Sequence, residues 1–258
     1  MRKAWIVTAL VAACLLQPLS AAALAMASSS ITFNNLSITP ASGSLTMLDP
    51  WTLTAFAEAN NSLGESDDDF AFDLSPGQVN AAASVTWAAA AGAVSAPIEP
   101  LDFVVAGSAA SEVDIPGCSP AAAFSKGIGT LSTVFELTGG TGAVDVAFGI
   151  DIAGVLKVMT DHCGLLAATE TIFTLEVDGT PVLFDRRELS VGPNSSFMET
   201  FSLRLLGLAA LDFDVPHILV IEADSESEGL VAEPPVMAML LIGAVALAVA
   251  RRRRRDGL

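Results

Sequence analysis

The chain has 258 residues, of which 52% are hydrophobic and 16% charged, with a formal net charge of −17. Between Ser28 and Ala232, 27 acidic residues stand against five basic ones (Lys126, Lys157, Arg186, Arg187 and Arg204), a net charge of −22. So few cations could not neutralise a nucleic acid or an anionic lipid surface, which disfavours both as partners.

At the N-terminus, Arg2 and Lys3 precede an apolar stretch from Ala4 to Leu16. Small residues then offer Ala23-Leu24-Ala25 or Ala25-Met26-Ala27 for cleavage. A charged start, a short apolar core and an Ala-x-Ala site are the layout of a secretory signal peptide, assigned here to residues 1–27. About 205 residues follow before the C-terminal tail, enough for one core and one domain.

The pattern of that region is β. Ile31 with Phe33 and Leu36 with Ile38 predict short strands broken at Asn34-Asn35, and Trp51 to Phe56 predict another. Residues 80–97 mix helix-favouring alanines with alternating Val85 and Trp87, interrupted by Gly92, and are read as small-residue strands. Ser119 to Leu131 could hold a short helix. Val144, Val146, Phe148, Ile150 and Ile152 alternate with small or acidic residues, which puts them on one strand face. Phe173, Leu175 and Val177 repeat the alternation, Asp178-Gly179 supplies a tight hairpin turn, and Pro181 to Leu189 return. Phe201, Leu203 and Leu205 form a further strand, and His217 to Glu222 the last. Many short strands punctuated by Gly, Pro, Asn and Asp predict an all-β fold: a single antiparallel, jelly-roll-like β-sandwich over residues 28–222. An acidic spacer is expected over 223–232.

Cys118 and Cys163 are the cysteines left once the signal is removed. An oxidising compartment favours their pairing, which would stabilise the fold by up to ~4 kcal/mol; two buried free thiols are the alternative. The densest acidic cluster holds Asp67, Asp68 and Asp69. Its carboxylates are a weak calcium candidate, weighed against a solvated loop, and calcium is the only cofactor left open. The chain lacks Gly-x-Ser-x-Gly, His-Glu-x-x-His and phosphate-cradling glycine motifs, and nothing in the sequence around His162 or His217 supports a nucleophile. It therefore reads as a non-enzyme with no catalytic residue, a secreted hydrolase being one alternative. A calcium-assisted carbohydrate-binding module is the other, and it would need Trp51 or Trp87 on the surface.

The C-terminal 26 residues are the most specific. Glu233-Pro234-Pro235 lead into an uncharged apolar run, Val236 to Ala250, followed by Arg251, Arg252, Arg253, Arg254 and Arg255. As a helix the run rises about 22 Å, short for a permanent span, and the arginines hold that end cytoplasmic. An exported chain ending this way resembles the PEP-CTERM family of Gram-negative bacteria, although Ala232 stands where the usual Val-Pro-Glu-Pro motif has proline. The resemblance covers residues 233–258 and implies an exosortase partner that processes the tail. It also implies transient anchoring in the inner membrane, then delivery to the cell surface or the extracellular space. The expected role is a structural or interaction protein of a bacterial surface or exopolysaccharide matrix, in contact with polysaccharide or other surface components.

Overall fold

The computed structural model describes residues 22–96, 103–116 and 119–231. The residues expected to form most of the signal peptide, the membrane segment and the sorting tail (Glu233, Pro234, Pro235 and Arg251 to Arg255) lie outside the described residues, as does Cys118. No helix among the described residues is long and apolar enough to cross a membrane.

The chain forms two antiparallel sheets arranged as a sandwich. Sheet A has the order β12-β9-β1-β7-β6-β5, built from β1 (Ala22–Pro40), β5 (Gly77–Val85), β6 (Ala88–Ala96), β7 (Val104–Pro116), β9 (Ala143–Thr160) and β12 (Ser196–Asp212). Sheet B has the order β11-β10-β13-β8-β3-β4, from β3 (Thr52–Asn61), β4 (Ser66–Leu74), β8 (Ala121–Thr138), β10 (Gly164–Val177), β11 (Thr180–Val191) and β13 (Pro216–Val231). Short β2 (Ser44–Met47) pairs with β8 off this path. Thirteen strands, counted among the described residues, exceed the eight of a jelly roll.

The local expectations hold where alternation is strict. Val146, Phe148, Ile150 and Ile152 of β9 are fully buried while Asp145, Ala147 and Asp151 between them are not, the period of two that a one-sided strand requires. Asp178 and Gly179 both have positive φ, 53° and 74°, and join β10 to β11. That left-handed pair matches the twist of the flanking strands, as a two-residue hairpin needs. The alanine-rich stretch is the β5–β6 hairpin.

Several expectations are corrected. Ser119 to Leu131 holds no helix, because pairing with β3 and β13 on either side takes up its backbone as β8. β1 does not break at Asn34-Asn35; it bulges there, with Asn35 at φ 53°, and its register with β9 resumes at Ser37. The acidic segment after Glu222 is no spacer. It continues β13 to Val231 in the middle of sheet B, where both neighbours satisfy its backbone. Residues 22–27, assigned to the signal, pair with β7, and the Ala25 and Ala27 side chains are fully buried.

The core has two textures. At one end Phe33 packs edge-on against Phe103 and Phe173, with ring centroids 6.0 and 5.2 Å apart, and Trp51 lies 5.4 Å from Phe103. Each such ring removed from water contributes about 2–3 kcal/mol. Elsewhere the sheets meet almost backbone to backbone. A Cβ on Gly92 would lie 2.0 Å from the Ile128 carbonyl oxygen, and one on Gly127 would lie 2.3 Å from both the Ala91 and Ser108 oxygens. Serine hydroxyls stitch this seam: Ser125 and Ser227 lie 2.8 Å apart, and Ser225 donates to the Gly107 carbonyl at 3.0 Å. Only residues this small allow such an approach.

Candidate functional site

The charge of the molecule is organised by strand register. Across the six strands of the main path of sheet B, one row reads Asp68, Glu58, Lys126, Glu226, Glu170 and Glu188, in the order β4-β3-β8-β13-β10-β11. Two residues further along each strand, about 7 Å away, a second row reads Phe70, Phe56, Ile128, Asp224, Ile172 and Arg186. Both rows lie on the outer face, because the intervening residues, such as Ala57, Ser225, Thr171 and Phe173, are buried between the sheets. An acidic row therefore runs beside a largely apolar one across the width of the sheet.

Lys126 holds the centre. Its Nζ lies 2.7 Å from Asp224 Oδ2 and 2.5 Å from Glu226 Oε1. Burial opposes its charge, but hydrogen bonds to Asp224 and Glu226 outweigh that and hold the ammonium above the usual lysine range. Arg186 donates to Glu170 through two nitrogens and lies 3.8 Å from Glu188. Glu170, Glu188, Glu226 and Glu228 line a cavity of about 170 Å³.

Asp224 is the anomaly of this face. Only 6% of it is exposed, and Oδ1 is buried without a hydrogen-bond partner. Burial pushes its pKa up to about 6; Lys126 pulls the other way, and the Glu226 and Glu222 charges add to the rise. One lysine shared between two acids cannot fully compensate a carboxylate held between Ile128 and Ile172.

The calcium candidates are placed differently. Asp67 and Asp69 reach the free edge of β5: Asp67 Oδ2 accepts from Ser84 N at 2.8 Å and Asp69 Oδ2 from Ala82 N at 3.0 Å. Glu65 Oε2 accepts from Thr86 N at 3.0 Å in the same ladder, and hydrogen bonds from Asn61 and Thr86 hold its carboxyl below its ordinary range. Asp68 sits on the opposite face of β4, in the acidic row, so the three aspartates do not converge. Alternation along a strand separates neighbours by construction. These acids instead close the lateral gap between the sheets. On the opposite side, Arg187 bonds Asp185 and Glu199 while stacking 4.3 Å over the Phe201 ring.

No family model, no curated protein and no solved structure matches this chain. What it does must be argued from its own residues.

Cys163 is disulfide-bonded, to a partner outside the described residues. Its sulfur lies in a cluster with Asp161 and His162 whose ligand atoms are within 4.8 Å of one another. A disulfide sulfur offers no thiolate, which leaves that cluster too few ligands for zinc. His217 is buried, 5% exposed rather than half-exposed. Its Nδ1 lies 2.7 Å from Asp178 Oδ2 and its Nε2 3.0 Å from the Asp212 carbonyl oxygen. Two facing acceptors require both ring nitrogens to donate, which only the imidazolium does. Burial opposes that charge, but Asp178 and Asp212 outweigh it and raise the pKa. His217 thereby clamps the β10–β11 turn to β13. Trp51 is buried and Trp87 half-buried, so neither offers the open ring that a sugar platform needs.

Apart from Asp68, the acids of the sheet B row enter the sequence reading only through the net charge. Glu58, Lys126, Glu170, Glu188 and Glu226 occupy outward positions in five separate strands, and only register aligns them. Phe70, Phe72 and Leu74, exposed beside the aspartates, are functional candidates that the sequence signals only by their alternation from position 70.

Proposed function

We propose that this chain is an exported, exosortase-processed structural or interaction protein of a bacterial cell surface or exopolysaccharide matrix. The observation that carries the reading is the tail, where Glu233-Pro234, a 15-residue apolar run and five consecutive arginines follow one another. A terminal cationic block behind a short apolar segment retains that end in the cytoplasm and leaves the domain outside.

Two structural features support it. Cys163 is in a disulfide, which persists in an oxidising compartment. The paired rows of sheet B make a broad face, suited to contact with a large partner rather than to enclosing a small substrate. The described part of β1 reaches into the segment assigned to the signal, so cleavage after Ala25 would remove its pairing with Val113 to Pro116, and cleavage after Ala27 its pairing with Ser111 to Pro116.

Protease digestion of spheroplasts, in which the outer membrane has been opened, tests the reading. The domain should be degraded from outside in spheroplasts of cells lacking exosortase and should appear in the medium when the enzyme is present. A domain protected in spheroplasts of both kinds would overturn it.

A further inference from the structure

We propose that the outer face of sheet B is a docking surface for a cationic amphipathic helix of a partner polypeptide, lying across the strands. The two adjacent rows are its template: an acidic row with five carboxylates, and an apolar row carrying Phe70, Phe56, Ile128 and Ile172.

The dimensions fit. Six strands span five gaps of about 4.8 Å, roughly 24 Å, which is the length of a helix of about 16 residues. A helix places a side chain on a given face about every 5.4 Å, close to the strand spacing, so each turn meets roughly one strand. Apolar positions would rest on the Phe70 row, and lysines or arginines of the adjoining stripe would meet the acidic row.

Three observations select this occupant. Phe70 is 63% exposed, a large apolar side chain in open solvent, and Phe72 beside it is 59% exposed. Glu58 and Asp68, in the acidic row beside Phe56 and Phe70, form no ion pair among the described residues, so an incoming ammonium or guanidinium would meet carboxylates that no cation of the chain compensates. The net charge of −22 repels a second copy of the chain and any polyanion. An added strand is a poor alternative, because Asp69 Oδ1 and Asp73 Oδ1 cap the Phe70 and Leu74 amides of edge strand β4.

The inference is independent of the sorting reading, since the face belongs to the folded domain wherever the chain is delivered. The test is fluorescence anisotropy of a labelled 18-residue Leu/Lys peptide with helical periodicity, titrated with the full-length protein in parallel with a scrambled peptide and a labelled neutral glucan hexamer. The patterned peptide should bind at least tenfold more tightly than the scrambled one. Phe70→Ser, and separately Glu58→Gln with Glu188→Gln, should each weaken it at least fivefold while leaving the melting temperature unchanged. Equal affinity for both peptides would reduce the face to non-specific attraction and overturn the proposal. So would wild-type binding by both variants, or binding of the glucan alone.

Discussion

Asp69 bridges two strand edges with a single carboxylate: Oδ2 accepts from Ala82 N of β5 at 3.0 Å while Oδ1 accepts from Phe70 N of its own strand at 2.9 Å. With Asp67 on Ser84 and Glu65 on Thr86, acidic side chains take the place of the missing β4–β5 backbone ladder. An unpaired edge invites association with other chains, so carboxylates here serve as both plug and repellent.

Removing that plug should loosen β5 selectively. In Asp67→Ala with Asp69→Ala, the amides of Ala82 and Ser84 should exchange with deuterium at least tenfold faster, while those of β8 keep their protection. The double variant should also associate at lower concentration in light scattering. Unchanged exchange at both amides would show that the side-chain ladder is dispensable.

The close approach of the sheets predicts a graded glycine series. Gly92→Ala should destabilise by about 3 kcal/mol, since its Cβ would sit 2.0 Å from one backbone oxygen and 2.7 Å from another. Gly192 has open space around it and no positive φ, so Gly192→Ala should stay within about 0.5 kcal/mol of the parent. Urea denaturation of the two variants measures the difference directly.

These two features mark how far the sequence could be read. Strand identity was legible wherever one face is buried, as from Val144 to Ile152, because alternation is a local signal. The Ser119–Leu131 stretch was not, since Ala121, Ala122 and Ala123 suit a helix, and only pairing on both sides decides for a strand. Nor was the course of β13 beyond Glu222, because Asp224 to Glu228 looks like solvated chain until Lys126 is placed across from Glu226. The carboxylate ladder and the paired rows are products of register, which no single segment encodes.

Asp224 should make stability depend on pH. Its folded pKa, about 6, lies above the unfolded value near 3.8. Its protonated form is therefore the one favoured by folding, and the stability so gained is fully present below about pH 3.8 and lost as pH rises through about 6. Asp224→Asn removes this titration. Relative to wild type, the variant should be more stable at pH 7.5 than at pH 4.0 by about 2–3 kcal/mol, from a shift of roughly two units at 1.36 kcal/mol each. A difference independent of pH in paired denaturation curves would contradict the assignment.

His217 contributes in the same direction. Its raised pKa means that its stabilisation is fully present below about 6.5, the unfolded value, and is lost as pH rises through the folded value. Replacing it, as in His217→Gln, should cost more at pH 5.5 than at pH 9. Asp178→Asn should reduce that pH dependence, because it removes the charge facing Nδ1. NMR titration of the imidazole should give a midpoint above 6.5.

The central claim, that this acidic sandwich is an exported protein sorted by its tail, is tested most directly by intact mass spectrometry. The protein would be recovered from membrane and medium of a host with and without an exosortase. The account predicts a released species lacking Arg251 to Arg255 and ending near Glu233, seen only with the enzyme, and a membrane-bound form with the whole tail in its absence. A tail that stays intact in the membrane whether or not the enzyme is present would contradict it.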